Sequence, residues 1–139
     1  MMKKLLSGSL LVLLFATVLP GCQPDETTEP ADDRDKFVAA WSCAENSTQS
    51  QTSTFNIDIN KSTSFTNQVE MENFYNVGFA NKAKAEISGS TVTIPSQLYN
   101  GKQLRGSGTM VSNNSITLTY YVDLGSGTID TCTATLTRQ

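Results

Sequence analysis

Ile116-Thr117-Leu118-Thr119-Tyr120-Tyr121-Val122 and, beyond Gly125-Ser126-Gly127, Thr131-Cys132-Thr133-Ala134-Thr135-Leu136-Thr137 set apolar residues against threonines with a period of two. Successive side chains of an extended chain point to opposite faces, so each run reads as a strand with one buried and one wet face. The pattern continues upstream. Leu104, Gly106, Gly108 and Met110 share one parity, Val92 and Ile94 flank Thr93, and Ala83, Ala85 and Ile87 alternate with Lys84 and Glu86. Val69 and Met71 alternate with Glu70 and Glu72, and Phe55, Ile57 and Ile59 with Asn56 and Asp58; Ala39, Trp41 and Cys43 supply the first of eight strands. Turn signals fall at Asn60-Lys61-Ser62, Ser88-Gly89-Ser90, Asn100-Gly101, Ser112-Asn113-Asn114 and Gly125-Ser126-Gly127. Asn-Gly is the strongest of them, because both residues tolerate positive φ.

Clean alternation means antiparallel strands. Short connections leave no room for crossovers, so neighbours in sequence are expected to pair. An open sheet of this width exposes two edges, and closing it removes them. The expected fold is therefore all-β, an eight-stranded antiparallel up-and-down barrel, with a two-sheet β-sandwich as the alternative. Asp32 to Val38 has the acid-first order of a helix start and is expected to form one turn before the first strand.

At 139 residues, 38% of them hydrophobic, the chain has material for one domain. It contains no histidine, which excludes His-containing zinc sites, Ser-His-Asp and Cys-His triads and imidazole acid/base chemistry. Its net charge of -3 lacks the basic stripe of a nucleic-acid binder. The acidity is local. Gln23 to Asp35 carries six acids (Asp25, Glu26, Glu29, Asp32, Asp33, Asp35) against Arg34, with two prolines, which reads as a solvated tether. From Lys36 onward seven bases balance seven acids, so the domain itself is neutral.

Lys3 and Lys4 precede an apolar run from Leu5 to Pro20, the length of a signal-peptide core and short of a spanning helix. The run ends in Leu19-Pro20-Gly21-Cys22, which resembles a bacterial lipoprotein lipobox, with Pro20 in place of the usual small or β-branched residue. The resemblance implies that the signal, residues 1–21, is cut before Cys22 and that Cys22 is acylated, anchoring residues 22–35 as a lipidated tether and 36–139 as the β-barrel domain. Cys22-Gln23-Pro24-Asp25-Glu26 is similar to the acidic export signal of some Bacteroidetes lipoproteins, which implies an outer-membrane protein of the cell envelope facing outward; a plain spacer reads equally well. With Cys22 taken by lipid, Cys43 and Cys132 are left in a compartment where disulfides persist. Both have inward parity, on strands that closure makes neighbours, so a Cys43–Cys132 bond is expected.

Asp35-Lys36-Phe37-Val38-Ala39-Ala40-Trp41 resembles the entry of a lipocalin-like barrel, with Ala39 where that family has glycine. The resemblance implies that Trp41 plugs one end and that Arg138 stacks over it. More broadly, Arg34-Asp35-Lys36-Phe37-Val38, Thr93-Ile94-Pro95-Ser96-Gln97, Gly106-Ser107-Gly108-Thr109 and Asp130-Thr131-Cys132-Thr133-Ala134 are similar to stretches of small Bacteroidetes lipoproteins of uncharacterised function.

Two functions fit this barrel. In the first it binds a small apolar ligand: Ala83, Ala85, Gly106, Gly108 and Ala134 are small inward residues that leave interior space, and eight strands are just wide enough for one small molecule. Phe74, Tyr75 and Phe79, with Tyr120, would then form its mouth; the competing reading has these aromatics cap a filled core. In the second, Ser115, Thr117 and Thr119 with Thr131, Thr133, Thr135 and Thr137 form a hydroxyl-rich outer face for a protein or glycan, an enzyme inhibitor included. No catalytic residues, metal site or cofactor is expected. The strand acids Asp58, Glu70, Glu72 and Glu86 have outward parity, which leaves Asp130 as the inward one, and no paired carboxylates emerge for glycoside chemistry.

Overall fold

The computed structural model describes residues 31–139. The signal peptide, Cys22 and the tether up to Pro30 lie outside the described residues. Eight strands follow one another: β1 (Ala39–Ser47), β2 (Ser53–Lys61), β3 (Gln68–Glu72), β4 (Lys82–Ser88), β5 (Thr91–Tyr99), β6 (Lys102–Ser112), β7 (Ser115–Gly125) and β8 (Thr128–Arg138). Each pairs antiparallel with the next, and β1 pairs with β8, so the sheet is a closed up-and-down barrel and not a sandwich. The residues of inward parity are the buried ones, from Trp41 and Cys43 in β1 to Cys132, Ala134 and Leu136 in β8.

Turn chemistry sets the hairpins. Asn100 and Gly101 have φ of 46° and 76°, and Gly125, Ser126 and Gly127 have 88°, 55° and 79°, the left-handed backbone that short β-turns need. One ladder is interrupted. β4 and β5 pair only as far as Glu86–Thr93, and a bulge on β5 spans Pro95, which has no N–H to donate. The Gln97 amide fills the gap, its Oε1 accepting from Lys84 N at 2.9 Å and its Nε2 donating to Lys84 O at 2.8 Å.

The small inward residues do not hollow the barrel. A Cβ on Gly106 would lie 2.5 Å from Tyr120 Cβ and 2.7 Å from Thr119 O, so that glycine lets β6 and β7 approach closely and its space is already taken. An interior void lined by Phe37, Ile59, Met71, Leu118 and their neighbours measures about 10 Å³. That is room for about one water molecule.

The cysteine expectation fails on register. β1 and β8 are neighbours and both thiols are buried, but Cys43 faces Leu136 while Cys132 faces Ser47. Four residues along a strand separate the two positions by about 13 Å, well beyond the roughly 7 Å limit for bridged α-carbons. Both are free thiols.

The domain also begins earlier than residue 36. Asp35 N donates to Asp32 O and Phe37 N to Arg34 O, each at 2.9 Å, which makes the expected turn. Arg34 Nη1 reaches Phe65 O at 2.8 Å and the carbonyls of Ser62 and Gln68 at 3.3 Å, and Asp32 pairs with Arg34 and Lys61. Asp32, Arg34 and Asp35 are therefore docked on the β2–β3 loop, not part of a free tether. Phe37 is fully buried and closes this end of the core.

Candidate functional site

The two ends of the barrel hold the residues singled out from sequence. At the end where β1 begins, Trp41 is fully buried and its indole N–H donates to Phe37 O at 2.9 Å. The Arg138 guanidinium lies over the indole, 4.5 Å from the ring centroid. It also donates through Nε to Asn113 O at 2.8 Å and through Nη2 to Lys36 O. The structure thus brings Trp41 and Arg138 together, a cation over an aromatic face.

The opposite end is the mouth. After β3 the chain turns inward through Asn73 and the short 3-10 turn Phe74–Asn76 before leaving towards β4. Asn73, Tyr75 and Asn76 all have left-handed backbone, with φ of 59°, 55° and 54°. Asparagine adopts this conformation readily, but for tyrosine it costs about 1 kcal/mol or more. The turn drives Phe74 into the barrel, where it is fully buried. Its ring lies 4.5 Å from that of Tyr120 and 6.5 Å from that of Tyr99, and its carbonyl accepts from Tyr99 OH at 2.9 Å. Of the four expected mouth residues, Phe74 and Tyr120 are therefore core, Tyr75 is half-buried at the rim, and Phe79 stands exposed beyond it.

Around the plug lies a polar cluster that sequence reading saw only in part. Asp130 is fully buried and accepts from Ser47 Oγ at 2.7 Å, Tyr75 OH at 2.8 Å, Gln49 N at 3.1 Å and Thr48 Oγ1 at 3.2 Å. Burial pushes its carboxyl up, but these donors outweigh burial and hold it below the usual aspartate value. Glu45, 5% exposed, accepts a hydrogen bond from Tyr120 OH. Burial, and then the Asp130 charge, push Glu45 up to about 7. Asp130 is thus not the one inward acid. Glu45 continues the parity of Ala39, Trp41 and Cys43, and that extrapolation was the available signal; the polar run Glu45-Asn46-Ser47 disguises it as loop. Burial also pushes the Cys43 thiol up to about 12, an inert residue.

An open cleft of about 320 Å³ runs beside the plug, lined by Glu45, Ser50, Gln51, Ser53, Tyr75 and Asn76. A molecule in it touches both the raised acid and the turn. The outward acids behave as expected from parity: Glu70 and Glu72 share Lys82 at 3.0 and 3.1 Å on the outer wall. Among the described residues no group of three or more acidic or cysteine side chains is arranged to hold a metal.

No protein-family model and no curated protein matches this chain. Solved structures do match in fold. A redesigned β-barrel is 15% identical with a TM-score of 0.58, covering 81% of this chain and 99% of its own. The redesigned barrel mFAP1, bound to DFHBI, is 15% identical with a TM-score of 0.56, covering 78% of this chain and all of its own. EF1p2_mFAP2b, also bound to DFHBI, is 14% identical over the same shares with the same score. The likeness is one of fold: a small closed β-barrel resembling designed barrels that bind a small molecule.

Proposed function

We propose that this protein is a membrane-tethered binding protein that takes a small, largely apolar molecule at the barrel mouth, beneath the Phe74–Asn76 turn. The observation that carries the reading is the plug itself. A core aromatic is delivered by a turn on left-handed backbone beside a cleft that ends on a buried carboxyl group. Irregular backbone of this kind gathers at ligand clamps and switch segments. That two barrels of similar fold are bound to DFHBI supports the reading. The site is the mouth and not the axis, because the interior below the plug is filled.

The same reading makes the chain a lipoprotein of the cell envelope, acylated on Cys22 and held in the outer membrane, of the small Bacteroidetes kind, with a lipocalin-like domain. Arg34 and Asp32 dock at the end opposite the mouth, so the tether would enter there and leave the mouth facing away from the bilayer. We assign the domain no reaction. Asp130 is wholly enclosed by its donors and out of a substrate's reach, so Glu45 would have no partner carboxylate in the cleft for glycoside hydrolysis.

The test is displacement of a compact environment-sensitive fluorescent probe, an anilinonaphthalene sulfonate, with native mass spectrometry, on the chain carrying Cys22→Ser. Saturable binding at one molecule per barrel is expected; the absence of saturation by any apolar probe sinks the proposal. One observation favours a second reading, a surface interaction module. Ser115–Thr137, Thr117–Thr135 and Thr119–Thr133 are directly paired across β7 and β8, forming a hydroxyl-rich outer face. Partner capture from intact cells that survives mutation of the mouth, and is lost when these threonines are changed, would favour that reading.

A further inference from the structure

We propose that the Phe74 ring fills the seat of a flat aromatic ligand carrying a hydrogen-bond donor, and that such a ligand enters by lifting the Phe74–Asn76 turn and donating to Glu45. This rests on the mouth being the binding site and names what it selects. Two core rings come from outside the strands, Phe37 and Phe74. They differ in how they are held. Phe37 follows the turn that Arg34 ties to the β2–β3 loop, whereas Phe74 hangs from backbone that includes a left-handed tyrosine. Lifting it releases that strain, which offsets part of the cost of displacing the ring.

The seat is shaped for a ring. Tyr120 lies against Phe74 at 4.5 Å with the planes tilted by 49°, and Tyr99 meets it edge-on at 6.5 Å and 67°. Tilted and edge-to-face pairs favour an aromatic over an alkyl group of equal area. Depth adds a second restriction. The interior void towards Phe37 is about 10 Å³, too small to take an acyl chain, whereas a compact ring in the Phe74 seat lies beside the cleft that Tyr75 and Glu45 line. Polarity adds a third. Glu45 lines the cleft and holds Tyr120 OH, so a ligand stacked on Tyr120 passes next to a buried acceptor. Tyr120 OH occupies Oε2, so a ring that offers an N–H or O–H meets Oε1; a ring without one covers that oxygen and leaves it unpaired.

Indole and 1-methylindole share a ring and differ in the donor, which makes them the probes. They are titrated into the chain carrying Cys22→Ser, its Phe74→Ala variant and its Glu45→Met variant, with amide hydrogen exchange followed over residues 73–81. The proposal expects indole to bind saturably and at least about tenfold tighter than 1-methylindole, a preference lost in Glu45→Met. Phe74→Ala removes the competing ring and should tighten indole by about tenfold or more. In the unaltered mouth, indole should speed exchange at Asn76 and Gly78 as the turn lifts. Equal affinity for the two probes, or slower exchange over 73–81, overturns the proposal whatever the variants do. If that happens while the anilinonaphthalene sulfonate still binds at the mouth, the binding function stands without the Phe74 seat. If nothing saturates, both fall.

Discussion

The barrel is closed at its two ends by different physics. At the Trp41 end the plug is Phe37 and an indole, and fixed cations finish it: Arg138 covers the ring and Arg34 gathers the carbonyls of Ser62, Phe65 and Gln68. At the mouth the plug is Phe74 on left-handed backbone, ringed by Glu45 and Tyr75, which burial pushes up, and by Asp130, which its donors hold down. One end is held by arginines and ion pairs around a turn without positive φ, the other by buried acids and tyrosines around a turn on left-handed backbone. The contrast teaches where this fold spends its stability, since binding segments are drawn from the less stable part of a structure.

The largest test of that contrast is truncation of the two plugs. Trp41→Ala should cost about 3–5 kcal/mol in urea unfolding, the usual loss for a fully buried aromatic. Phe74→Ala should cost at least about 1 kcal/mol less, because the turn relaxes once its anchor is gone. Equal losses would erase the distinction between the ends.

Next in size is the pH dependence of the mouth. Glu45 is raised in the fold to about 7 from an ordinary value of 4.5, so the folded state holds a proton that the unfolded chain gives up. Stability should be full below about 4.5 and decline as pH rises to about 7, by roughly 3 kcal/mol. Asp130 works the other way: its lowered value adds stability that is lost as pH falls through its folded value. Glu45→Gln should flatten the decline between pH 4.5 and 7 in chemical denaturation curves. A slope that survives this substitution would mean the acid is not where the electrostatic cost lies.

Smaller effects sharpen the comparison. Tyr75→Phe removes the 2.8 Å bond to the Asp130 carboxylate and should cost about 1.5–2 kcal/mol. It should also raise the Asp130 value, visible by nuclear magnetic resonance titration. Arg138→Met at the other end should cost about 1 kcal/mol with no change in pH profile, the half-buried cation being lost from the ring together with its bonds to Asn113 O and Lys36 O.

How far the sequence carried differs between wall and mouth. The wall was legible because period two is a local property: each inward residue from Trp41 to Leu136 announces its face from its neighbours, and closure follows from eight strands with no crossover. Register is not local. Parity put Cys43 and Cys132 on the same inner surface, but the offset between β1 and β8 is set by how the whole sheet closes, and it parts them by four residues. Glu45 was hidden because polar residues at a strand end look like loop, although the parity of Trp41 and Cys43 points through it. Phe74, Tyr75 and Tyr120 were legible as a group, yet whether they would rim a cavity or fill it turned on the backbone of Asn73, Tyr75 and Asn76. In Arg34 and Asp32 the acidic composition of the preceding residues masked a docking contact that depends on carbonyls thirty residues away.

Chemical-shift mapping of the backbone during an indole titration tests the placement of function at the mouth most directly. Saturating shifts gathered on Glu45, Tyr75, Tyr120 and Asp130, with Trp41 and Arg138 unmoved, are predicted. Shifts centred on Phe37 and Trp41, or scattered over the outer face without saturation, would contradict it.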